Sequence, residues 1–305
     1  MGVVGTGALG RHHARILAQL PGVEMVGIHD QRPEVARAVG EEHGCRVWDS
    51  FEELASRIDA AVVAVPTVAH AEVGCALLRR GVHALVEKPI APSLAEADRL
   101  IAAAAEGGHR VLAVGHVEFY NPAVQSLLAV GGPRFLEVER LAVFTPRSLD
   151  VDVVLDLMIH DIQILHAFDS SPVREVRATG IAVLSPRVDI ANARVELESG
   201  CVANLTASRV SAERVRKLRA FLPSRYYSLD YQAQEIKGYR LEVAADGKRA
   251  IRPDDLAVER AEPLRRELEA FVAACRGQTV PLVDGRQGRR ALETALAVGA
   301  AIGNH

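Results

Sequence analysis

Apolar residues in the first third of the chain come in two alternating rhythms. Short, nearly unbroken runs suit strands buried on both faces: Val3-Val4, VEMVGIHD ending at Asp30, AAVVAVP from Ala60, HALVEKP from His83, and RVLAVGH ending at His116. Between them lie segments with helical spacing. Ala14, Ile16, Leu17 and Leu20 follow the first run, His70 to Arg80 is stopped by Gly81, and LAEADRLIAAAAEGG opens on the capping box Ser93-Leu-Ala-Glu96. Strand and helix alternating over short connections predict a doubly wound parallel sheet, which takes ligands at the C-terminal ends of its strands. Those ends carry Pro66-Thr67, Glu87-Lys88-Pro89 and His116.

After Gly131-Gly-Pro133 the rhythm changes to period two. RFLEVERLAVF, VREVRATGIAVL, IANARVELES, CVANLTASRV, RKLRAFLPS and YYSLDYQAQEIKGYRLEV read as strands, with turns at Glu198-Ser-Gly200 and Ala245-Asp-Gly247. The fold class expected is α/β: a Rossmann domain over 1–117, then an α+β domain over 118–305 built on a large, open, mostly antiparallel sheet. Helices from about Arg265 and Asp284 close the chain. Apolar residues alternating through ANARVELESGCVANLTAS predict self-association through the C-terminal sheet, as a homodimer or homotetramer.

One segment breaks its own pattern. VVLDLMIHD, residues 153–161, is apolar enough for a buried helix yet carries Asp156 and His160, one helical turn apart and within reach of each other. Asp161 reads as a helix-surface or interdomain residue.

The first run leads into Gly5-Thr6-Gly7-Ala8-Leu9-Gly10, a helix follows, and Asp30 lies 20 residues past Gly10. Strand, G-x-G-x-x-G turn, helix and acid together form a dinucleotide-binding fingerprint. The glycines admit the turn and the pyrophosphate, the helix N-terminus favours its charge, and the acid accepts hydrogen bonds from the ribose. A carboxylate at Asp30 repels a 2′-phosphate, which favours NAD over NADP, although Arg32 could accept that phosphate or stack on adenine. Only four residues precede Gly5, so either the first strand is short or upstream residues are missing.

Composition narrows the possible partners. With 49% hydrophobic and 25% charged residues, the 305-residue chain is an ordered globular protein. A net charge of -3 and a pI near 6.4 give no electrostatic attraction to nucleic acid or an anionic membrane, so both are excluded as expected partners. No apolar run approaches the roughly 18 residues that cross a bilayer. Cys45, Cys75, Cys201 and Cys275 are widely separated with no C-x-x-C pair, which suits free thiols in the cytoplasm. The pair His12-His13 has no Cys/His/Glu set of zinc spacing to join, so no metal is expected and His13 is assigned to packing against the nucleotide loop.

Taken together, the glycine turn with His13, Val65-Pro-Thr67, Gly81-Val-His83 leading to Glu87-Lys88-Pro89, and the Asp156/His160 pair resemble the Gfo/Idh/MocA oxidoreductases over essentially the full length. The resemblance implies a nicotinamide-dependent dehydrogenase of sugars or cyclitols, with Lys88, Asp156 and His160 matching the family's catalytic Lys, Asp and His. It places Gly5, Thr6, Gly7, Ala8, Leu9, Gly10, Asp30, Arg32, Pro66, Thr67, His70, Glu87 and Lys88 around NAD. The chemistry agrees: His160 suits the base that takes the hydroxyl proton, Asp156 orients it or holds substrate, and Lys88 stabilises developing alkoxide charge.

GHVEFYNPAV, SLDVDVVLDLMIHDIQIL and DIANARVELESGCVANLTASRVS look most like the branch that oxidises UDP-N-acetylglucosamine at C3, a step before transamination in making amide-linked lipid A. The family's usual glycine pair before the helix is replaced by Leu149-Asp-Val-Asp152, which bears on substrate identity more than on chemistry. That branch implies cationic partners for a diphosphate, Arg147, Arg209, Arg214 and Arg216, with His116, Glu118, Tyr120 and Asn121 near the sugar. The competing readings are a dehydrogenase of a free sugar or inositol, whose pocket needs no arginine cluster, and a non-catalytic NAD-binding sensor, which would have little reason to hold Lys88, Asp156 and His160 together.

Overall fold

The computed structural model describes residues 1–108, 110–145, 151–280 and 283–303. The chain divides into two compact units, Met1–Val117 with Glu262–Leu292, and Glu118–Ala261 with Glu293–His305. Glu262–Leu292, placed by the sequence in the second domain, clusters with the first unit.

The first unit runs β1 (Gly2–Val4), α1 (Gly10–Leu17), β2 (Gly27–His29), α2 (Pro33–His43), α3 (Phe51–Ala55), β3 (Ala60–Val63), α4 (His70–Arg79), β4 (His83–Glu87), α5 (Leu94–Glu106) and β5 (Leu112–Gly115). The five strands are all parallel, in the order β2-β1-β3-β4-β5. Ser93 caps α5 as its sequence predicts, accepting from the Glu96 N–H at 3.3 Å and donating to its carboxylate at 3.0 Å. Helix α2 was not legible in the hydrophobic pattern because only Ala36, Val39 and Gly40 are buried on it. Pro33 at its start and Gly44 just past its end, at φ 66°, were its signals.

The second unit begins with α6 (Pro122–Leu128) and β6 (Phe135–Leu141), then α7 (Ile159–Phe168), β7 (Val173–Ile181), β8 (Ile190–Leu197), β9 (Val202–Ser208), β10 (Val215–Leu222), β11 (Arg225–Asp230), β12 (Glu235–Val243) and β13 (Arg249–Pro253). Its eight strands lie in the order β13-β12-β11-β10-β6-β9-β8-β7, antiparallel at every pairing except β6 with β9. The single run from Tyr226 to Val243 is two strands, reversed at Tyr231–Gln234, where Gln234 takes φ 52°.

The period-two pattern works in a different sense from the one expected. Ala191, Ala193, Val195, Ala203, Leu205 and Ala207, read as a face for self-association, are all within 1% of full burial inside this one chain. Glu137, Glu139, Asn192, Asn204, Thr206, Lys217 and Arg219 line a shallow depression on the sheet. There Arg219 pairs with Glu137 at 3.3 Å and the Asn192 amide donates to Thr206 at 2.8 Å.

The chain closes with α8 (Pro263–Cys275) and α9 (Gly285–Gly303). Leu268, Phe271 and Val272 of α8 join Ile16, Leu17 and Leu20 in one core cluster, which is why α8 belongs to the first unit. Each such buried side chain contributes roughly 1.5–3 kcal/mol. Among the described residues, no helix is long and apolar enough to cross a membrane.

Candidate active site

The glycine turn joins β1 to α1, and its three glycines answer to different demands. A Cβ at Gly5, which sits at φ 87°, would lie 2.6 Å from the Ala64 carbonyl oxygen, and one at Gly10 would lie 1.9 Å from the Gly5 carbonyl oxygen. Both are required by the protein itself. A Cβ at Gly7 would meet nothing nearer than the Arg32 guanidinium at 3.8 Å, so this position is open to a ligand. Gly7→Ala is accordingly expected to leave unfolding free energy within about 0.5 kcal/mol, yet to weaken NAD binding tenfold or more, ~1.4 kcal/mol. A melting curve paired with an NAD titration checks both; a large loss of stability would place the glycine in the fold instead.

Asp30, past the end of β2, accepts from the Thr6 N–H at 2.7 Å and hydroxyl at 3.2 Å through one oxygen. Its other oxygen accepts from the Arg32 N–H at 2.9 Å and Nε at 3.2 Å. Burial opposes its charge, but these donors prevail and hold the carboxyl below its usual range. Ala8 and Leu9 are exposed at the crest of the turn while Thr6 is buried.

Two further strand ends are tied together by His70, whose ring nitrogens lie 2.9 Å from the Pro89 carbonyl oxygen and 3.0 Å from that of Val65. Pro66 is exposed and Thr67 half-buried beside it. Lys88 is half-buried at the end of β4, followed by a cis bond to Pro89. The Lys88 N–H donates to the Glu87 carboxylate at 3.2 Å, and Glu87 meets His13 Nε2 at 2.7 Å. Cofactor contact expected of Glu87 gives way to this internal role, for the residue is 6% exposed. His116, past β5, is 1% exposed, and burial together with the Lys88 charge pushes its imidazole down to about 3, a neutral ring at any working pH.

In the second unit, Asp156 and His160 lie four residues apart across a junction that sequence did not reveal. Residues Val154–Met158 form a π-helical turn that passes into α7 at Ile159. Asp152 caps it, accepting from the Leu155 N–H at 2.9 Å. Single π turns concentrate at functional sites, since the widened turn re-aims side chains that a regular helix would stack. Asp156 is half-buried and His160 8% exposed. From Ile159 to Leu165 every residue of α7 is buried, so it is a core helix with polar groups by exception.

Asp161 is one of those exceptions, and the structure corrects its surface assignment. It accepts from Arg140 of β6 in a bidentate pair at 2.9 and 2.7 Å, while the same guanidinium donates to Glu118 at 2.7 Å. Burial works against the Arg140 charge, but Asp161 and Glu118 outweigh it and hold the guanidinium protonated. Arg216 reaches Glu118 at 3.2 Å, and the Tyr231 ring lies beneath Arg140 with its centroid at 5.0 Å.

This network revises the expected substrate contacts. Glu118 is 7% exposed and held by two arginines. Asn121, 2% exposed, caps α6 by accepting from the Ala123 N–H at 3.0 Å and donates to the Tyr231 carbonyl at 3.0 Å. Tyr120, 4% exposed, stacks edge-on with Phe119 at 5.6 Å. Arg209, 4% exposed, donates to Asp189 at 2.8 Å, to the Val151 carbonyl at 3.0 Å and to Ser185 at 3.3 Å, so its guanidinium serves the fold. Burial opposes the Asp189 charge, but Ser185, Arg209 and the N–H groups of Val183 and Leu184 hold its carboxyl far below the usual range. Arg214 is exposed and Arg216 half-buried, whereas Arg147 lies outside the described residues.

Residues 1–116 match the family GFO_IDH_MocA, described as an oxidoreductase family with an NAD-binding Rossmann fold. Over 304 residues, 99% of this chain and 96% of the relative, it is 39% identical to the UDP-N-acetylglucosamine 3-dehydrogenase of Acidithiobacillus ferrooxidans. The chain belongs to the Gfo/Idh/MocA oxidoreductase family. The solved structure of that relative, GnnA, superposes with a TM-score of 0.92, covering 99% of this chain and 96% of that one. An inositol 2-dehydrogenase of Rubrobacter xylanophilus, a more distant match, is 34% identical over 59% of this chain and 55% of its own length. The WlbA dehydrogenase of Bordetella pertussis, solved with NADH and UDP-GlcNAcA, shares the fold at 21% identity and a TM-score of 0.80, covering 99% and 96% of the two chains. Membership makes this chain an oxidoreductase with an NAD-binding Rossmann domain.

Proposed function

We propose that this chain is an NAD-dependent dehydrogenase that oxidises the 3-hydroxyl of UDP-N-acetylglucosamine to the 3-keto sugar, ahead of the transamination that leads to amide-linked lipid A. The observation that carries this reading is the 39% identity to a 3-dehydrogenase of that sugar nucleotide, sustained over 99% of the chain. The open side of Gly7 and the start of α1 fit the pyrophosphate of NAD, and Asp30, ionised at neutral pH, fits an adenosine ribose rather than a 2′-phosphate. Arg32 is itself held by Asp30 at 3.2 Å, which leaves it less available to a phosphate.

Bound NAD supplies the hydride acceptor. The protein residues supply the rest: His160 takes the proton of the reacting hydroxyl, Asp156 orients the imidazole or the sugar, and Lys88 stabilises charge on the oxygen as the proton leaves. With Arg209 engaged in the fold, Arg214 and Arg216 remain the described candidates for the diphosphate. Self-association through the C-terminal sheet, as a homodimer or homotetramer, is tested by light scattering, which is expected to return two or four times 32.8 kDa.

The test is NADH absorbance after mixing the protein with NAD and UDP-N-acetylglucosamine, N-acetylglucosamine, glucose or inositol. A glutamate-dependent aminotransferase is added to draw off the ketone. NADH is expected with the nucleotide sugar alone. Turnover of a free polyol would redirect the reading to that substrate class, and silence with both NAD and NADP would leave a nucleotide-binding sensor.

A further inference from the structure

Glu267 of α8 is fully buried, and neither of its carboxyl oxygens has a hydrogen-bond partner among the described residues. A buried carboxylate left that way would lose several kcal/mol of hydration with nothing in return. Its surroundings come from three distant stretches of sequence: Glu87 ends β4, His13 stands on α1, and ligand-type atoms of Glu267, Glu87 and His13 all lie within 4.8 Å of one another. Glu87 is itself packed hard, for a Cβ on Gly115 would come within 3.0 Å of its carboxyl carbon. The charged or titratable groups that act on Glu267 or Glu87 include His13 from α1, His70 from α4, Glu87 and Lys88 from the end of β4, and His116 beyond β5.

We propose that Glu267 is a positioning residue: a neutral carboxylic acid that braces the Glu87 carboxylate, and through it the backbone at Lys88. Two carboxylates packed so closely in a dry interior do not both stay ionised. Burial opposes the Glu87 charge, but His13 and Lys88 keep that group below its usual range, whereas burial and then the Glu87 charge push Glu267 well above its own. The proton therefore resides on Glu267, and Glu87 keeps the charge that accepts the Lys88 N–H at 3.2 Å. A helix from the far end of the chain thus bears on the Glu-Lys-Pro segment, without contact to substrate or cofactor.

The sign of the pH effect follows. A carboxyl whose folded pKa is raised holds its proton longer in the folded state, so stability falls as pH climbs from the ordinary carboxylate range toward the raised value. Glu267→Gln removes the titration while keeping shape and a donor. Its melting temperature is expected to exceed that of the parent protein by a margin that widens from pH 5 to pH 9. Infrared difference spectra of parent minus Glu267→Gln at pH 7 are expected to show a protonated carboxyl stretch.

A turnover arm rests on the proposed dehydrogenase activity: Glu267→Gln keeps kcat within about threefold, while Glu267→Leu lowers it about tenfold or more through displacement of Lys88. Failure of the substrate assignment would silence only that arm, leaving the melting and infrared arms to decide. A carboxylate band, a Glu267→Gln variant less stable by the same margin at every pH, or melting raised by added zinc and lowered by chelator would overturn the proposal, the last in favour of a metal held by the three residues.

Discussion

Replacing His160 with alanine is expected to lower kcat by about 10²- to 10⁴-fold, the usual worth of a positioned proton-transfer group. The same variant is expected to hold the dissociation constant for NAD within about twofold, because none of the residues assigned to the nucleotide turn is altered. The contrast is what tests the role. His160 is 8% exposed on a helix otherwise buried through Leu165, and a histidine that merely filled space there would cost stability and lower NAD affinity and turnover alike. Equal loss of binding and turnover removes His160 from the base position. Asp156→Asn separates the partners further: a side chain that orients the imidazole by charge loses turnover, and one that holds the sugar raises KM first.

The largest expected effect on stability lies at Arg140. Its guanidinium, 3% exposed, carries the bidentate contact to Asp161 and the contact to Glu118, and its removal leaves two buried carboxylates with one half-buried arginine between them. Arg140→Met is expected to lower the unfolding free energy by about 3–5 kcal/mol, the range seen when one partner of a buried pair is deleted. Burial already raises the folded pKa of Asp161 above its usual value against the pull of Arg140, and loss of that cation would raise it further. The defect should therefore be greatest at neutral pH and shrink as pH falls toward the ordinary carboxylate range. Combining Arg140→Met with Asp161→Leu should recover much of the loss, since an apolar pair of similar volume removes the stranded charge. Urea unfolding of the two variants at pH 5 and 8 measures this. A loss under 1 kcal/mol for the single variant would mean that water reaches the network.

The alternation of strands and helices to His116 was legible because each strand of a doubly wound sheet is buried on both faces and reads as an apolar run. The glycine turn was legible for a similar reason: Gly5 and Gly10 stand where any side chain would strike backbone within 3 Å. Helix α2 escaped because a helix covering a sheet edge with three buried positions leaves little periodicity. The Arg140–Asp161 pair escaped for a different reason. It joins residues 21 apart on a strand and a helix, and pairing across a fold leaves no local pattern. Arg209 illustrates the reverse error, for an arginine just past the end of an apolar strand looks the same in sequence whether it meets a phosphate or a buried aspartate. The π turn at Val154–Met158 has no signal in composition or spacing at all, since its residues would suit an ordinary helix equally.

Helix α8 sits in the core of the nucleotide-binding unit although 144 residues of the other unit, Glu118–Ala261, intervene. On the ribosome, the first 117 residues therefore emerge with Ile16, Leu17 and Leu20 lacking part of their cover. That apolar face stays open to chaperones, or to other nascent chains, until synthesis has passed Cys275. The nucleotide-binding unit is completed only after the whole second sheet has been made, so a message cut short anywhere in that sheet yields no finished nucleotide-binding unit.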